Sequence, residues 1–234
     1  SCNACPSCRK VTNLQHPDLH FSFPTIQVIS KTSDQLLTDW RAQIAENPYF
    51  DLNSWIKRTD SKERKPIIGK DESQEIIKKL SLRSYEGGYK VMIIWMAEEM
   101  NTTCANKLLK MIEEPPAKTL FILISESQDY MLQTILSRTQ IVTIPRIEDE
   151  SLGAYLKKRK QIDVSNADSI VGRSDGDLLE AEEYIGDHLE QDENRDLFVQ
   201  LMRVCYKKGV LDMIQWAETI SATSKEHQKF FLKY

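Results

Sequence analysis

Between residues 90 and 125 the hydrophobic period of the chain changes twice, which leaves few folds open. Val91 to Trp95 is a continuous apolar run of strand length. Such a run is expected of a strand covered on both faces, because alternation would appear if one face met water. Asn101 stands where a helix cap belongs, and Ala105, Leu108, Leu109 and Ile112 follow at helical spacing. Pro115 and Pro116 forbid continuation of that helix. "TLFILIS", 119 to 125, is a second apolar strand, a short helix follows over 129 to 136, and "QIVTIP", 140 to 145, reads as a third. Strands alternating with helices predict an α/β fold built on a parallel sheet with right-handed crossovers.

The segments ahead of this core read less uniformly. Cys2, Cys5 and Cys8 recur at every third position. Leu19, Phe21 and Phe23 alternate with polar residues and end at Pro24, the pattern of a short strand. Ser33 is placed to cap a helix bearing Leu36, Leu37, Trp40 and Ile44, which Asn47-Pro48 stops. The charged stretch 49 to 66 is expected to be an irregular surface excursion. A helix begins near Asp71, with Ile76, Ile77 and Leu80 inward, and "YEGGYK" forms a turn. After Pro145 no strand pattern appears. Helices are predicted over 148–159, 165–172, 176–187, 194–208, 210–221 and 224–233. Domain boundaries are placed near 146 and 190, giving 1–145 as an α/β domain, 146–190 as a helical domain and 191–234 as the start of another.

Charge and cysteine usage narrow the function. The net charge of −4 argues against broad phosphate gripping by the chain alone, since that calls for a basic excess. The run Lys157, Lys158, Arg159, Lys160 reads as a solvated helix end favoured by the helix dipole. No apolar stretch reaches the roughly 20 residues of a membrane helix, and none follows the basic residues near the start as a signal peptide requires. A cytoplasmic protein is expected. Cys104 and Cys205 sit in helical patterns and read as buried small apolar residues. The Cys2, Cys5, Cys8 cluster reads as a metal site. The chain starts without Met and ends just after a helical pattern, as part of a longer protein would.

"NKLLKMIEEPP", 106 to 116, and "SRTQ", 137 to 140, resemble "NALLKTLEEPP" and "SRCQ" of the clamp-loader branch of the AAA+ ATPases, at a matching separation. The cysteine run resembles that branch's zinc module. The resemblance covers residues 1 to 24 and 88 to about 180, while the stretch 25 to 87 is longer than the family pattern. It implies an AAA+-type parallel sheet whose first strand would precede Ser1, a helical lid over 146–190 and the beginning of a helical collar at 191–234. Trp216, Phe230 and Phe231 are candidate collar packing residues. It also implies structural zinc held by Cys2, Cys5, Cys8 and a fourth Cys ahead of Ser1; His16 is the alternative fourth ligand.

The departures from the family point away from hydrolysis. Motor subunits end the strand over 91–95 in Asp-Glu, the pair that holds magnesium and positions water. Trp95 and Met96 stand there and offer no carboxylate. Glu98 and Glu99 would lie roughly 7 to 13 Å further along an extended chain. The lid motif resembling "GSPGRAL" carries a phosphate-sensing Arg, where "GRSDGDLLEA", 172 to 181, has Asp177; Arg173 would need a shifted register. What the resemblance leaves is Ser137-Arg138-Thr139, whose Arg138 would act as an arginine finger in a neighbour's ATP site. A structural salt bridge is the competing role. The implied identity is a non-catalytic clamp-loader subunit, with no ATP hydrolysis of its own. Its partners would be motor subunits and a clamp-opening subunit, with the sliding clamp and primer-template DNA reached through the complex. The competing identities are an active motor subunit and a zinc-bearing nucleic-acid-binding module.

Overall fold

The structure is a computed structural model. It describes all residues except 1, 63, 160–163, 187, 208, 224–227, 229–230 and 233–234. Phe230, Lys160 and most of the helix expected over 224–233 therefore lie outside the described residues. The chain forms two compact units, Ser1–Ile144 and Pro145–Tyr234.

The first unit opens with α1 (Pro6–Thr12), capped by the Cys5 side chain and started by a proline whose missing N–H costs nothing there. Next come β1 (Leu19–Ser22), a 3-10 turn over Ser33–Leu36, α2 (Leu37–Glu46), α3 (Leu52–Thr59) and α4 (Lys70–Ser81). Then follow β2 (Lys90–Trp95), α5 (Thr102–Glu113), β3 (Thr119–Ile124) and the single turn α6 (Gln133–Leu136). The strands form one parallel sheet in the order β1-β2-β3, with Leu19 opposite Val91 and Lys90 opposite Thr119. This is the expected parallel α/β sheet with flanking helices.

Alternation along β2 divides the core. Met92 and Ile94 are fully buried in one cluster with Ile76 and Leu80 of α4, Leu108 and Ile112 of α5, and Ile135 of α6. Ile93 and Trp95 join a second, aromatic cluster built by Phe21, Phe23, Trp40 and Trp55. Each of these side chains contributes roughly 1.5–3 kcal/mol by leaving water. Lys90 is buried at the head of β2, where its ammonium donates to the carbonyls of Leu80 and Leu82. It thereby satisfies orphan acceptors at the end of α4, where the helix dipole favours a cation.

Four expectations fail in this unit. The charged stretch 49–66 is not an irregular excursion. Asp51 caps α3 by accepting from Ser54 N at 2.8 Å, and Trp55 is 1% exposed with its indole N–H on Pro24 O at 2.9 Å. Charge density masked one deeply anchored side chain. Ser33 does not cap a helix either. It is buried, and its N–H and hydroxyl meet the carboxylate of Glu72. The segment 140–145 forms no strand, and Ile141, Val142 and Ile144 are exposed. A ladder needs a neighbour, and among the described residues none pairs with it. Outer strand β3 likewise exposes Leu120, Ile122 and Ile124, so it is not covered on both faces.

The described regular elements of the second unit are helices, α7 (Asp149–Arg159), α8 (Val164–Ser174), α9 (Leu178–Gly186), α10 (His188–Lys207) and α11 (Val210–Ser221). Leu152, Leu156, Ala167, Ile170, Leu178 and Ala181 bind the first three into one core. Gly176, at φ +77°, lies so close to Ile147 that a Cβ would meet the Ile147 carbonyl at 2.5 Å, and Ile147 N–H donates to Gly176 O. Cys205 is exposed, which corrects the expectation that it is buried; Cys104 is buried. Trp216 packs against Phe231 at 5.6 Å between ring centroids and donates to Leu197 O.

Candidate functional site

The C-terminal end of β2 is where an α/β sheet of this kind places its chemistry. Trp95 occupies that end. Its ring lies 5.2 Å from Trp40 and 5.0 Å from Phe50, so α2 and the segment before α3 close over it. Trp40 in turn stacks on Phe23 at 4.3 Å. Met96, 3% exposed, takes a left-handed backbone at φ +52° and turns the chain into the short 3-10 segment Ala97–Glu99. Glu98 and Glu99 have separate partners. One oxygen of Glu98 accepts from Glu126 N at 2.9 Å after β3, while Glu99 faces Lys65 at 3.8 Å. The strand end thus presents an indole and a thioether, groups with no affinity for a hard divalent cation.

Arg138 lies just beyond α6. The turn is anchored by Ile135, 0% exposed, and Arg138 N–H donates to Ile135 O at 3.0 Å. Arg138 Nε donates to Glu113 Oε2 at 3.2 Å, and Nη1 donates to Thr134 O at 3.0 Å and to Ser137 Oγ at 3.2 Å. Ser137 is thus drawn into orienting the guanidinium. Thr139 turns its hydroxyl back onto Ile135 O and Leu136 O.

In the second unit Asp177 caps α9, its carboxylate accepting from Leu179 N at 2.8 Å and Glu180 N at 3.2 Å. That is a structural task worth about 1 kcal/mol. Arg173 lies over the Tyr184 ring, 4.6 Å from its centroid.

The sulfur atoms of Cys2, Cys5 and Cys8 lie within 4.8 Å of one another, a set able to hold a metal ion. Cys5 N donates to Cys2 Sγ at 3.3 Å and Cys8 N to Cys5 Sγ at 3.4 Å. N–H groups of Ala4 and Cys5 directed at Cys2 lower its pKa to about 6, which favours the thiolate a metal needs. His16 is committed elsewhere: Nδ1 accepts from Asp18 N at 3.1 Å and Nε2 faces Glu86 at 3.3 Å. Sequence reasoning missed what fastens this module. α1 buries no side chain of its own. Glu86 gathers Ser7, Lys10 and His16, and buried Asp18 holds the same turn through Ser84 Oγ, Tyr85 N and Glu86 N. The acidic residue beside the glycine turn was the available signal.

A family model described as "DNA polymerase III, delta subunit" matches residues 1–148. The chain is similar to the DNA polymerase III subunit delta' of Bacillus subtilis (27% identity; 64% of this chain, 34% of that protein). It is similar to those of Haemophilus influenzae (32%; 44% and 33%) and Escherichia coli (36%; 33% and 23%). It therefore spans about a third or less of the length of these relatives. Among solved structures, a gamma subunit-related protein from Thermotoga maritima aligns at TM-score 0.39 and 22% identity, over 70% of this chain and 57% of that one. With residues 1–148 of 234 matched, the chain belongs to the DNA polymerase III delta-subunit family.

Proposed function

We propose that the chain is a delta-prime, or stator, subunit of a bacterial replicative clamp loader. In this role it does not hydrolyse ATP. It serves as a fixed wall beside gamma/tau motor subunits and a clamp-opening delta subunit, and reaches the sliding clamp and primer-template DNA through that complex. Membership in the DNA polymerase III holoenzyme and a cytoplasmic location follow from the same role. The names of the relatives support it. Among the described residues no helix is long and apolar enough to cross a membrane.

The observation that carries the non-catalytic part is the packing of Trp95 against Trp40 and Phe50 at the end of β2. A carboxylate put there would lie beside aromatic rings and give up the packing of Trp95 against them. Asp177, busy as a helix cap, adds no cation toward a triphosphate.

The positive contribution is Arg138. On a neighbouring subunit water attacks the γ-phosphorus of ATP, the bond to the bridging oxygen breaks, and ADP and inorganic phosphate leave. Arg138 would donate N–H groups to the oxygens on which charge accumulates, and takes no proton. Such a finger is worth about 10³ to 10⁵ in rate. Ser137 and Thr139 shape the turn that presents it.

Cys2, Cys5 and Cys8 would supply three ligands of a tetrahedral structural zinc, the fourth coming from outside this sequence. The metal would pin a module that has no apolar core. Residues 146–190 would form the lid, and 191–234 the start of the collar, with Trp216 and Phe231 in its packing. The direct test is phosphate release by the purified full-length chain alone with magnesium and ATP. Background-level release is expected; turnover abolished by Glu98→Gln or Glu99→Gln would overturn the proposal.

A further inference from the structure

Glu113 stands at an electrostatically awkward place. It is the last residue of α5, held in the final turn by Pro115 and Pro116. Free carbonyls there repel a carboxylate, so a glutamate at this end weakens the helix unless something offsets it. What offsets it is Arg138, whose Nε–H lies on Glu113 Oε2 at 3.2 Å.

The hydrogen-bond inventory of Arg138 gives the pairing a purpose. A guanidinium carries five N–H groups in one plane. Nε is taken by Glu113, and Nη1 reaches Thr134 O and Ser137 Oγ. The two N–H groups of Nη2 have no partner among the described residues. Contacts at Nε and at Nη1, on opposite edges of the guanidinium, fix its plane and leave the Nη2 donors unused. Both anchors are rigid: Ile112, beside Glu113, and Ile135, three residues before Arg138, belong to the same buried cluster.

Stability alone does not account for the pair. The side chains of Arg138 and Glu113 are 33% and 58% exposed, and ion pairs at such positions contribute little to folding. Orientation is a different matter, because a preorganised donor loses less freedom when it meets its phosphate.

We infer that Glu113 is the positioning residue for Arg138: it holds the guanidinium so that Nη2 is presented to a phosphate of the adjoining subunit. This rests on the trans role proposed above. The acidic end of "NKLLKMIEEPP" thereby acquires a task connected to "SRTQ", two motifs otherwise separate in the sequence.

The test uses the full-length chain reconstituted with its motor and clamp-opening subunits. Steady-state ATP hydrolysis is measured for the wild type, Glu113→Ala, Glu113→Gln, Arg138→Ala and the Glu113→Ala/Arg138→Ala double variant, with assembly checked by size-exclusion chromatography. Glu113→Ala should lower the Arg138-dependent part of kcat about tenfold with KM within about twofold, as misplacement of a catalytic group does. Glu113→Gln, which keeps an acceptor oxygen, should restore most of the loss. The double variant should match Arg138→Ala. Unchanged or raised kcat in Glu113→Ala, no rescue by Glu113→Gln, or additive losses in the double variant would overturn the assignment of Glu113. If Arg138→Ala itself leaves kcat unchanged, the trans role falls and the positioning role falls with it.

Discussion

The ring of Trp95 lies 5.2 Å from that of Trp40, at a tilt of 55°. This contact joins the end of the central strand to α2. Trp95 is partly buried there, packed against the cluster of Phe21, Phe23, Trp40 and Trp55.

Replacing that ring should therefore harm the fold without creating an enzyme. Trp95→Asp removes a large contact with Trp40 and Phe50 and leaves a charge among rings. A loss of about 3–5 kcal/mol is expected from urea unfolding monitored by circular dichroism. Trp95→Phe, which keeps an aromatic ring, should lose less than half as much. Phosphate release should stay at background in Trp95→Asp/Met96→Glu.

Glu72 gives a pH signature. The residue is 2% exposed, and burial raises its pKa above the usual glutamate range, against the opposing pull of Ser33 and Lys79. Proton counting agrees. Ser33 Oγ lies 3.2 Å from Phe21 O and 2.5 Å from Glu72 Oε1, and a hydroxyl has one proton for two acceptors. A protonated Glu72 donating to Ser33 Oγ satisfies both. Folded Glu72 thus keeps its proton to higher pH than unfolded Glu72. Its contribution is fully present below the ordinary value of 4.5 and is lost as pH rises through the raised folded value. Across that window wild type should lose stability relative to Glu72→Gln. The loss is about 1.4 kcal/mol for each tenfold difference in proton affinity between the folded and unfolded carboxyl. Urea midpoints at pH 5 and pH 8 check this; a constant gap between the two proteins would contradict it.

The cysteine module should depend on metal for its order. One zinc per chain is expected by elemental analysis of the full-length protein, and Cys5→Ala should abolish it. Because α1 buries nothing of its own, chelation should raise amide exchange in residues 2–14 while leaving β2 protected. Uniform exchange across both segments would refute a local structural role.

The parts of this molecule legible in the sequence are those whose signal is local. β2 and α5 declare themselves because Val91 to Trp95 and Ala105 to Ile112 carry clean periods and Asn101 is a true cap, accepting from Cys104 N at 2.8 Å. α3 was obscured because Trp55 is the main anchor in a stretch dominated by charge, although Asp51 with Leu52, Trp55 and Ile56 at helical spacing offered a signal. Residues 140–145 have the composition of a strand, but pairing is a property of two segments. Ser33 looks like a cap by type, and its contact with Glu72 spans 39 residues that no local pattern links. The Arg138–Glu113 contact was likewise invisible: each residue belongs to a recognisable motif, but only the packing of α5 and α6 on one cluster brings them together.

The central claim is that Arg138 serves a nucleotide bound elsewhere. The most direct measurement is DNA- and clamp-stimulated ATP hydrolysis by the reconstituted loader containing either wild-type chain or Arg138→Ala, at saturating ATP and with assembly verified. Removal of the guanidinium should lower kcat at the adjoining site by about 10³ or more, so that the whole complex loses that site's share of turnover. Hydrolysis and clamp loading at the wild-type rate would contradict the account.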